Sequence, residues 1–337
     1  MDPVAALRHI AFLLERTRAP TYRVKAFRTA ALTLAGLSPA DVEKRSKNGT
    51  LTDLPGIGPK TSAVISQALA GRTPDYLADL EPTAGPLVAG GEEIRAALRG
   101  DLHSHSDWSD GGSPIQEMAV TAVELGHDYL ALTDHSPRLT VANGLSPERL
   151  QRQLTIVAAL NRHLGDFRLL TGIECDINED GTLDQTDELL GLVDIVVASV
   201  HSKLRSDPVT MTRRMLRAVQ NPHTDILGHC TGRLVTGGRG TRPESRFDAA
   251  AVFAACAEHD VAVEINSRPE RLDPPRRLLR QAVYAGCRFS IDTDAHAPGQ
   301  LDWQPYGCAR AQDCDVPVER IVNTWPVVTL LAWAGGR

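Results

Sequence analysis

The chain has 337 residues, 42% of them hydrophobic and 23% charged, with a formal net charge of −6. This composition is typical of a folded globular protein and excludes an intrinsically disordered one. No apolar run approaches the roughly 20 residues that a membrane-spanning helix requires, and the first residues form an amphipathic pattern unlike a signal peptide. We therefore expect a cytoplasmic protein whose six cysteines, none of them in a C-x-x-C pair, are free thiols that lie mostly in the core.

Residues 1–82 are predicted to form a small all-helical domain. Apolar residues recur at three- and four-residue spacing within 4–17, 22–37 and 58–71, and breaks that contain proline or glycine separate these stretches. The domain contains 11 Lys and Arg against 8 Asp and Glu. That balance suits contact with phosphates, although from charge alone a solvated helical surface is the simpler interpretation. Residues 83–98 are rich in Pro, Gly and Ala, which predicts a linker.

The chain from residue 99 to residue 337 is predicted to be an α/β domain. Seven short apolar stretches are typical of buried strands, and they lie at 99–105, 129–135, 167–174, 194–201, 224–229, 261–266 and 288–296. Helical patterns lie between them, at 114–126, 147–163, 208–220, 247–258 and 275–285. This alternation predicts parallel strands, and about seven strand–helix units favour a barrel over a small open sheet.

The histidines are concentrated where the predicted strands end. Six of the 11 histidines lie at the carboxyl end of a strand or just after it, and three carboxylates occupy equivalent positions. In a barrel of parallel strands these ends meet on one face, where loops build active sites. The candidate metal ligands are His103, His105, Asp110, His135, Glu174, His201, His229, Asp294 and His296. Side chains from so many strand ends indicate more than one metal ion.

The spacing within two short motifs favours chelation. Alternation along a strand would direct His103 and His105 to one side, and Asp294 and His296 likewise. Imidazoles mixed with carboxylates suit zinc, manganese or iron better than calcium or magnesium. Four neighbouring aspartates are predicted to support the ligands or cap local structure, namely Asp107, Asp134, Asp176 and Asp292. The isolated histidines are more typical of surface or core positions, and these are His9, His127, His163, His223 and His259.

The motifs "DLHSHSDWSDG", "LTDHS", "GIECDI", "SVHS", "LGHCTGR", "EINSRPERLD" and "DTDAH" follow one another between residues 101 and 296. Together they resemble the polymerase and histidinol phosphatase (PHP) domain, and the likeness extends from residue 99 to about residue 325. The resemblance implies a distorted (βα)7 barrel with a trinuclear metal centre. It implies one ion bound by His103, His105, Glu174 and Asp294, a second bound by Glu174, His201 and His229, and a third bound by Asp110, His135 and His296.

The helical domain also resembles a known module. "YRVKAFRTAA" and "LTDLPGIGPKTSAVISQAL" are similar to the helix-hairpin-helix domain at the amino terminus of bacterial X-family DNA polymerases. Gly56 and Gly58 would allow a tight turn whose backbone N–H groups hold a DNA phosphate without reading bases, although such a turn can also simply join two packed helices. The candidate DNA contacts are Gly56, Gly58, Lys60, Arg23, Lys25 and Arg28.

Two features distinguish the chain from those polymerases. The interval between residues 82 and 99 leaves no room for their nucleotidyltransferase palm, so polymerase activity is not expected. The lysine that forms a Schiff base in lyase members of the module would fall at Val64, which argues against a 5′-deoxyribose phosphate lyase acting by that route.

The metal set favours hydrolysis of phosphate esters. Two or three divalent ions, zinc, manganese or iron, would lower the pKa of bound water and neutralise charge on phosphate oxygens. Glu174 is expected to bridge two ions, and the cationic candidates for holding phosphate are Arg233, Arg268 and Arg271, for which surface ion pairs are an almost equally good interpretation.

Three functions remain open from the sequence. DNA end processing, for instance as a 3′-to-5′ exonuclease, is favoured slightly because the helical domain could grip the strand. A small-molecule phosphomonoesterase such as a histidinol phosphatase is the alternative. A DNA-binding module with structural metals is the third, which the size of the ligand set disfavours.

Overall fold

The computed structural model describes residues 1–238 and 240–336. The chain folds into two compact units, Met1–Pro86 and Leu87–Arg337. The finer division into a helical domain over 1–82, a linker over 83–98 and a phosphoesterase domain over 99–337 stays a prediction. Among the described residues, no helix is both long enough and apolar enough to cross a membrane. The expected cytoplasmic location is likewise still a prediction.

The first unit is all helical, as predicted. Its helices are α1 (Pro3–Arg16), α2 (Thr21–Ala35), α3 (Pro39–Asn48), α4 (Pro59–Leu69) and α5 (Asp75–Leu80). Helix α3 begins after Ser38, whose hydroxyl accepts a hydrogen bond from the Asp41 N–H. Helix α1 buries Leu7, Ile10 and Leu14, whose spacing places them on one face. Val64 is part of the same core, so the position expected for a lyase nucleophile is apolar and buried.

The second unit is built on seven parallel strands. They are β1 (Gly100–Ser104), β2 (Tyr129–Leu132), β3 (Arg168–Asp176), β4 (Ile195–Ser199), β5 (Ile226–Leu227), β6 (Ala262–Asn266) and β7 (Arg288–Asp292). They pair in chain order, each with the next. A parallel bridge between Ser104 and Ala295 brings the first and last strands together, and the His105 N–H donates to the Ala295 carbonyl at 2.8 Å. The sheet is therefore a nearly closed barrel, which confirms the predicted distorted (βα)7 architecture.

Helices cover the outside of this barrel. They are α6 (Glu92–Ala97), α7 (Ile115–Glu124), α8 (Pro147–Asn161), α9 (Asp187–Leu190), α10 (Pro208–Val219), α11 (Ala249–Glu258), α12 (Arg276–Ala285), α13 (Gln304–Asp313) and α14 (Val327–Ala334). The five helices predicted between strands are all present. Helix α6 lies inside the stretch predicted as a linker and buries Ile94 in the core of the second unit.

Burial explains why the strands are so apolar. Strands β1, β2, β4, β5 and β6 are buried at every residue, as expected for parallel strands covered on both faces. The six cysteines are free and buried, which confirms the expectation of reduced core thiols. Many of the polar residues buried in this unit lie at the carboxyl ends of the strands or just beyond them.

Candidate metal centre

Nine candidate ligands meet at the carboxyl end of the barrel. β1 carries His103 and is followed by His105 and Asp110, His135 follows β2, and β3 carries Glu174. The remaining four follow later strands, with His201 after β4, His229 after β5, and Asp294 and His296 after β7. A parallel bridge between His135 and Glu174 continues the β2–β3 pairing into the site. Glu174 lies at the centre, since five histidine rings approach its two carboxylate oxygens.

The donor atoms are spaced as ligands of a shared ion would be. Two donors that each lie roughly 2.1 Å from a tetrahedral ion are about 3.4 Å apart. Six distances between a histidine Nε2 atom and a carboxylate oxygen fall between 3.2 and 3.6 Å. They join Glu174 to His103, His105 and His201, Asp294 to His105, and Asp110 to His135 and His296.

Several of these atoms are buried without a hydrogen-bond partner. Nε2 of His103, His105 and His201 and Oε2 of Glu174 have none among the described residues. Leaving such groups unsatisfied would cost about 1–3 kcal/mol each, so a native structure normally satisfies them. Divalent ions would satisfy them all at once. The residues present therefore fit a metal centre with nitrogen and carboxylate ligands.

In the part of the chain that the structure describes, three groups of side chains have donor atoms close enough together to hold an ion. They are His105, Asp110, His135 and His296; then His103, His105 and Asp294; and then His135, Glu174 and His201. The first group contains the whole set that the PHP resemblance implies for the third ion, and the second lies within the set implied for the first. The third group differs from the set that the resemblance implies for the second ion, because it contains His135 where that set contains His229. Nε2 of His229 instead lies 2.9 Å from Oε1 of Glu174.

The electrostatics keep the carboxylates charged. Burial opposes ionisation of Glu174, but the surrounding His201, His103 and His135 hold its pKa well below its usual range. Burial likewise opposes ionisation of Asp294, and the Arg271 guanidinium holds that pKa well below its usual range. Both side chains are therefore anionic donors at neutral pH.

The same surroundings keep the His105 ring uncharged. Burial, together with the neighbouring His296 and His135 rings, lowers the pKa of His105 to about 3. Its imidazole is therefore neutral at pH 7 and keeps a nitrogen lone pair for a metal ion.

A second layer of carboxylates orients the histidines. Glu264 of β6 is buried, and its Oε1 lies 2.6 Å from Nδ1 of His103. With a metal ion bound, an Nδ1–H that donates to Glu264 would leave the Nε2 lone pair of His103 for the ion. Asp176 makes the equivalent contact with Nδ1 of His201. Asp134 accepts from the Ser106 N–H at 2.8 Å, and Asp292 accepts from the Leu102 N–H at 2.8 Å, so the two stabilise the first strand and its loop.

Asp294 and His296 are not placed by strand alternation, contrary to the prediction. β7 ends at Asp292, so strand alternation does not direct these two side chains. Asp294 instead has φ of 53°, in the left-handed region that non-glycine residues seldom adopt. Such backbone conformations occur at functional sites where surrounding contacts hold them. Here Nε of Arg271 donates to the Asp294 carboxylate at 2.9 Å, and Nη1 of Arg268 donates to its carbonyl at 2.8 Å.

A cavity of about 770 Å³ opens onto the centre. Five of the nine candidate ligands line it, namely Asp110, His135, His201, Asp294 and His296. Among the described residues, four arginines line it as well, namely Arg205, Arg242, Arg268 and Arg271. Guanidinium groups beside a metal centre suit an anionic substrate, and phosphate matches their fork geometry.

Arg233 is not among the described residues that line this cavity. Its guanidinium donates to the backbone carbonyls of Arg271, at 3.1 Å, and Leu272. The expectation that Arg233 holds phosphate is therefore corrected, because its donors are used to fix the loop that carries Arg271. Arg268 and Arg271 do line the cavity, and their phosphate-holding role stays a prediction.

The helical unit presents some of its candidate DNA contacts and buries another. Lys60 and Lys25 are exposed, and Arg23 is partly exposed with Nη2 donating to the Tyr76 hydroxyl at 2.7 Å. Arg28 is only 8% exposed and makes two hydrogen bonds to Glu15, at 2.9 and 2.7 Å. Arg28 is therefore an internal ion pair, and the expectation that it contacts DNA is corrected.

The two glycines of the turn differ in what they require. Gly56 has φ of 77°, and a Cβ there would overlap the Thr29 side chain, so only glycine fits. Gly58 precedes α4 with an extended backbone and open space around it, and its own N–H donates to the Thr61 hydroxyl at 3.0 Å. The Gly58 amide is thus occupied, which limits a phosphate at this turn to the other amides of the helix start.

Sequence reasoning missed three residues of the site. Glu264 could have been found, because it is a lone carboxylate in the otherwise apolar strand β6. Arg205 and Arg242 lie in loops with no distinguishing pattern, and only the folded chain brings them to the cavity.

The fold and the site together define a class, the parallel α/β barrels with a histidine and carboxylate centre at the carboxyl ends of the strands. A family model described as PHP domain matches residues 101–268, and one described as Helix-hairpin-helix domain matches residues 1–74. Residues 101–268 of the chain therefore belong to the PHP domain family, and residues 1–74 are a helix-hairpin-helix domain.

The chain is similar to two curated proteins and to one solved structure. The chain is 39% identical over 226 residues to the DNA polymerase/3′-5′ exonuclease PolX of Bacillus subtilis. The alignment covers 67% of this chain and 39% of that protein. The chain is 27% identical over 240 residues to a probable phosphatase of Shewanella loihica, with 68% of this chain and 91% of that protein covered. A solved histidinol phosphate phosphatase of Lactococcus lactis aligns with 18% identity and a TM-score of 0.44, over 71% of this chain and 94% of that one. The chain thus spans about two fifths of the length of the Bacillus relative.

Proposed function

We propose that the second unit is a metal-dependent phosphoesterase. The observation that carries the proposal is the convergence of nine imidazole and carboxylate side chains at the carboxyl end of the barrel, where five of them line a cavity and several buried donor atoms have no hydrogen-bond partner among the described residues. Two or three divalent ions, zinc, manganese or iron, would be held there. The proposed ligands are His103, His105, Asp110, His135, Glu174, His201, His229, Asp294 and His296.

Ions at this centre would supply hydroxide at neutral pH and neutralise charge on the reacting phosphate. The protein's own contribution is positional. Glu174 would help to fix the positions of the ions, because its two oxygens contact different histidines. Arg268 and Arg271 would orient the phosphate from the cavity wall, where their contacts with Asp294 keep the guanidinium groups in place before a substrate arrives.

The substrate that we propose is DNA, which the enzyme would shorten or process from a 3′ end. The relative that carries the 3′-5′ exonuclease name is 39% identical to this chain, against 27% for the probable phosphatase. The helix-hairpin-helix domain gives the chain a module suited to a phosphate backbone. Lys60, Lys25 and Arg23 are its remaining candidate contacts.

A small-molecule phosphomonoesterase is the second candidate, favoured by the probable phosphatase, which this chain spans almost completely. A DNA-binding module with structural metals is the weakest, since an open cavity with arginines beside the centre is more than a structural ion requires.

A side-by-side turnover assay tests the proposal. The purified full chain receives manganese or zinc, with 5′-labelled single-stranded DNA in one tube and histidinol phosphate in another. We expect a ladder of stepwise-shortened DNA that disappears in His103→Ala. Release of phosphate from histidinol phosphate with intact DNA would replace the DNA proposal with the phosphomonoesterase, and turnover of neither would overturn both.

A further inference from the structure

The four arginines of the cavity are not equivalent. Arg268 and Arg271 are ion-paired to Asp294 beside the metal ligands, and Nε of Arg242 donates to the Gly232 carbonyl at 2.6 Å. Arg205 is exposed and has no hydrogen-bond or ion-pair partner anywhere in 1–238 or 240–336. Among the described arginines of the cavity, Arg205 is thus the one left without an anion from the protein itself.

The backbone that carries Arg205 is nevertheless firmly held. Arg205 lies in the loop between β4 and α10, four residues after the candidate ligand His201. On one side, the buried Arg214 donates to the Ser202 carbonyl at 2.8 Å. Nearer still, the Ser245 hydroxyl donates to the Leu204 carbonyl at 2.9 Å. The loop therefore presents its free side chain from a fixed position, as a preorganised binding group would.

We propose that Arg205 binds a second phosphate of the substrate, one linkage away from the phosphate at the metal centre. The inference rests on the proposed phosphoesterase function and narrows its substrate class. The reacting phosphate already has Arg268 and Arg271 beside the ligands, so a further guanidinium in the same cavity matches a second negative charge. A polynucleotide carries such a charge on the next linkage, whereas a phosphomonoester carries none.

The test removes the second charge from the substrate and the cation from the protein. One substrate is the trinucleotide TpTpT, and its partner replaces only the inner linkage with a neutral methylphosphonate. Release of the 3′-terminal nucleotide reports cleavage of the outer linkage in both. For the wild-type chain we expect kcat/KM to fall about tenfold with the methylphosphonate, the size of one charge-assisted contact. In Arg205→Ala the two substrates should be cleaved equally.

Arg213→Ala is the matched control, because Arg213 is an exposed arginine of α10 that does not line the cavity. It should keep the tenfold preference, and Arg205→Lys should keep part of it. Equilibrium binding of fluorescent oligothymidylate to the chelator-treated protein gives a second readout. There, Arg205→Ala should reduce the slope of log Kd against log salt by about 0.7, the value for one single-strand phosphate contact.

The outcomes separate the two claims. If the wild-type chain releases the 3′ nucleotide equally fast from both substrates, the second-phosphate site is overturned and the phosphoesterase proposal stands. An equal preference in the wild type and Arg205→Ala would overturn it as well. If neither trinucleotide is cleaved, the DNA proposal fails and the inference fails with it.

Discussion

The two units of the chain bury charge in different ways. The barrel unit places nine ionisable candidate ligands at one end of its strands, most of them without full hydrogen bonding inside the protein. The helical unit buries the Arg28–Glu15 pair, in which the two side chains satisfy each other, and leaves Lys25 and Lys60 in solvent. Buried donors that face one another suit ions, whereas exposed cations around a turn suit a flexible polyanion. We therefore expect phosphate-ester hydrolysis in the barrel unit and DNA binding by the helical unit.

Among the substitutions that test this difference between the units, removal of a candidate metal ligand should have the largest effect, and that effect is on hydrolysis. We expect His103→Ala to lower kcat/KM for phosphoester hydrolysis by about a thousandfold or more, because the centre loses a buried nitrogen donor. Steady-state kinetics on metal-quantified protein measures this. His163→Ala is the matched control, since His163 is exposed and outside the cluster. Full activity in metal-quantified His103→Ala would remove this residue from the centre.

Breaking the buried pair of the helical unit should destabilise it without touching the chemistry. Arg28→Ala removes both hydrogen bonds that Arg28 donates to the buried Glu15 carboxylate, which we expect to cost about 3 kcal/mol of unfolding free energy. Denaturant unfolding of the full chain, followed by a probe in this unit, measures the loss. Lys25→Ala, on the exposed side of α2, should change the free energy of unfolding little. Weakened DNA binding at unchanged stability would instead restore Arg28 as a DNA contact.

Neutralising the carboxylate behind His103 should weaken metal binding moderately. Glu264→Gln keeps the shape but removes the charge that accepts from Nδ1 of His103. We expect metal affinity to fall about 10- to 100-fold, the usual effect of losing such support, as measured by competition with a chromogenic chelator. Glu258→Gln, at an exposed position of α11, provides the control. Unchanged affinity in Glu264→Gln would mean that the barrel holds the His103 ring without this contact.

The smallest effect is expected at the surface of the helical unit. Lys60→Ala should weaken duplex DNA binding a few-fold and reduce the salt slope of log Kd by about 0.9, because one phosphate contact is lost. Fluorescence anisotropy over a range of salt concentrations measures both. Lys44→Ala is the control, because Lys44 is an exposed lysine of α3 and not a candidate DNA contact, and it should leave the slope unchanged. An equal slope in the wild type and Lys60→Ala would contradict the proposal that Lys60 contacts a DNA phosphate at this turn.

Local spacing explains why much of the barrel could be predicted. The strands are apolar runs between clear helical patterns, and their carboxyl ends must meet when the strands are parallel and pair in chain order. A histidine at the end of a strand is therefore constrained in space as well as in sequence. His103 and His105 illustrate this, since both rings reach the same oxygen of Glu174.

Arginines could not be placed in the same way. Arg233, Arg28 and Arg205 all lie in segments where sequence alone allows a surface, an internal or a binding role. A guanidinium reaches several ångströms from its backbone, so its partner depends on tertiary packing that no local pattern encodes. Asp294 shows a related limit, because its position depends on a left-handed backbone and not on strand alternation.

The most direct test of the metal-dependent phosphoesterase is a titration of metal into chelator-treated protein. Manganese is added in steps, and bound metal and cleavage of single-stranded DNA are measured in the same samples. We expect no cleavage without metal, a rise that follows the occupancy of more than one ion per chain, and full reversal by chelator. Cleavage by metal-free protein, or a fully loaded centre that cleaves no phosphate ester, would contradict the account.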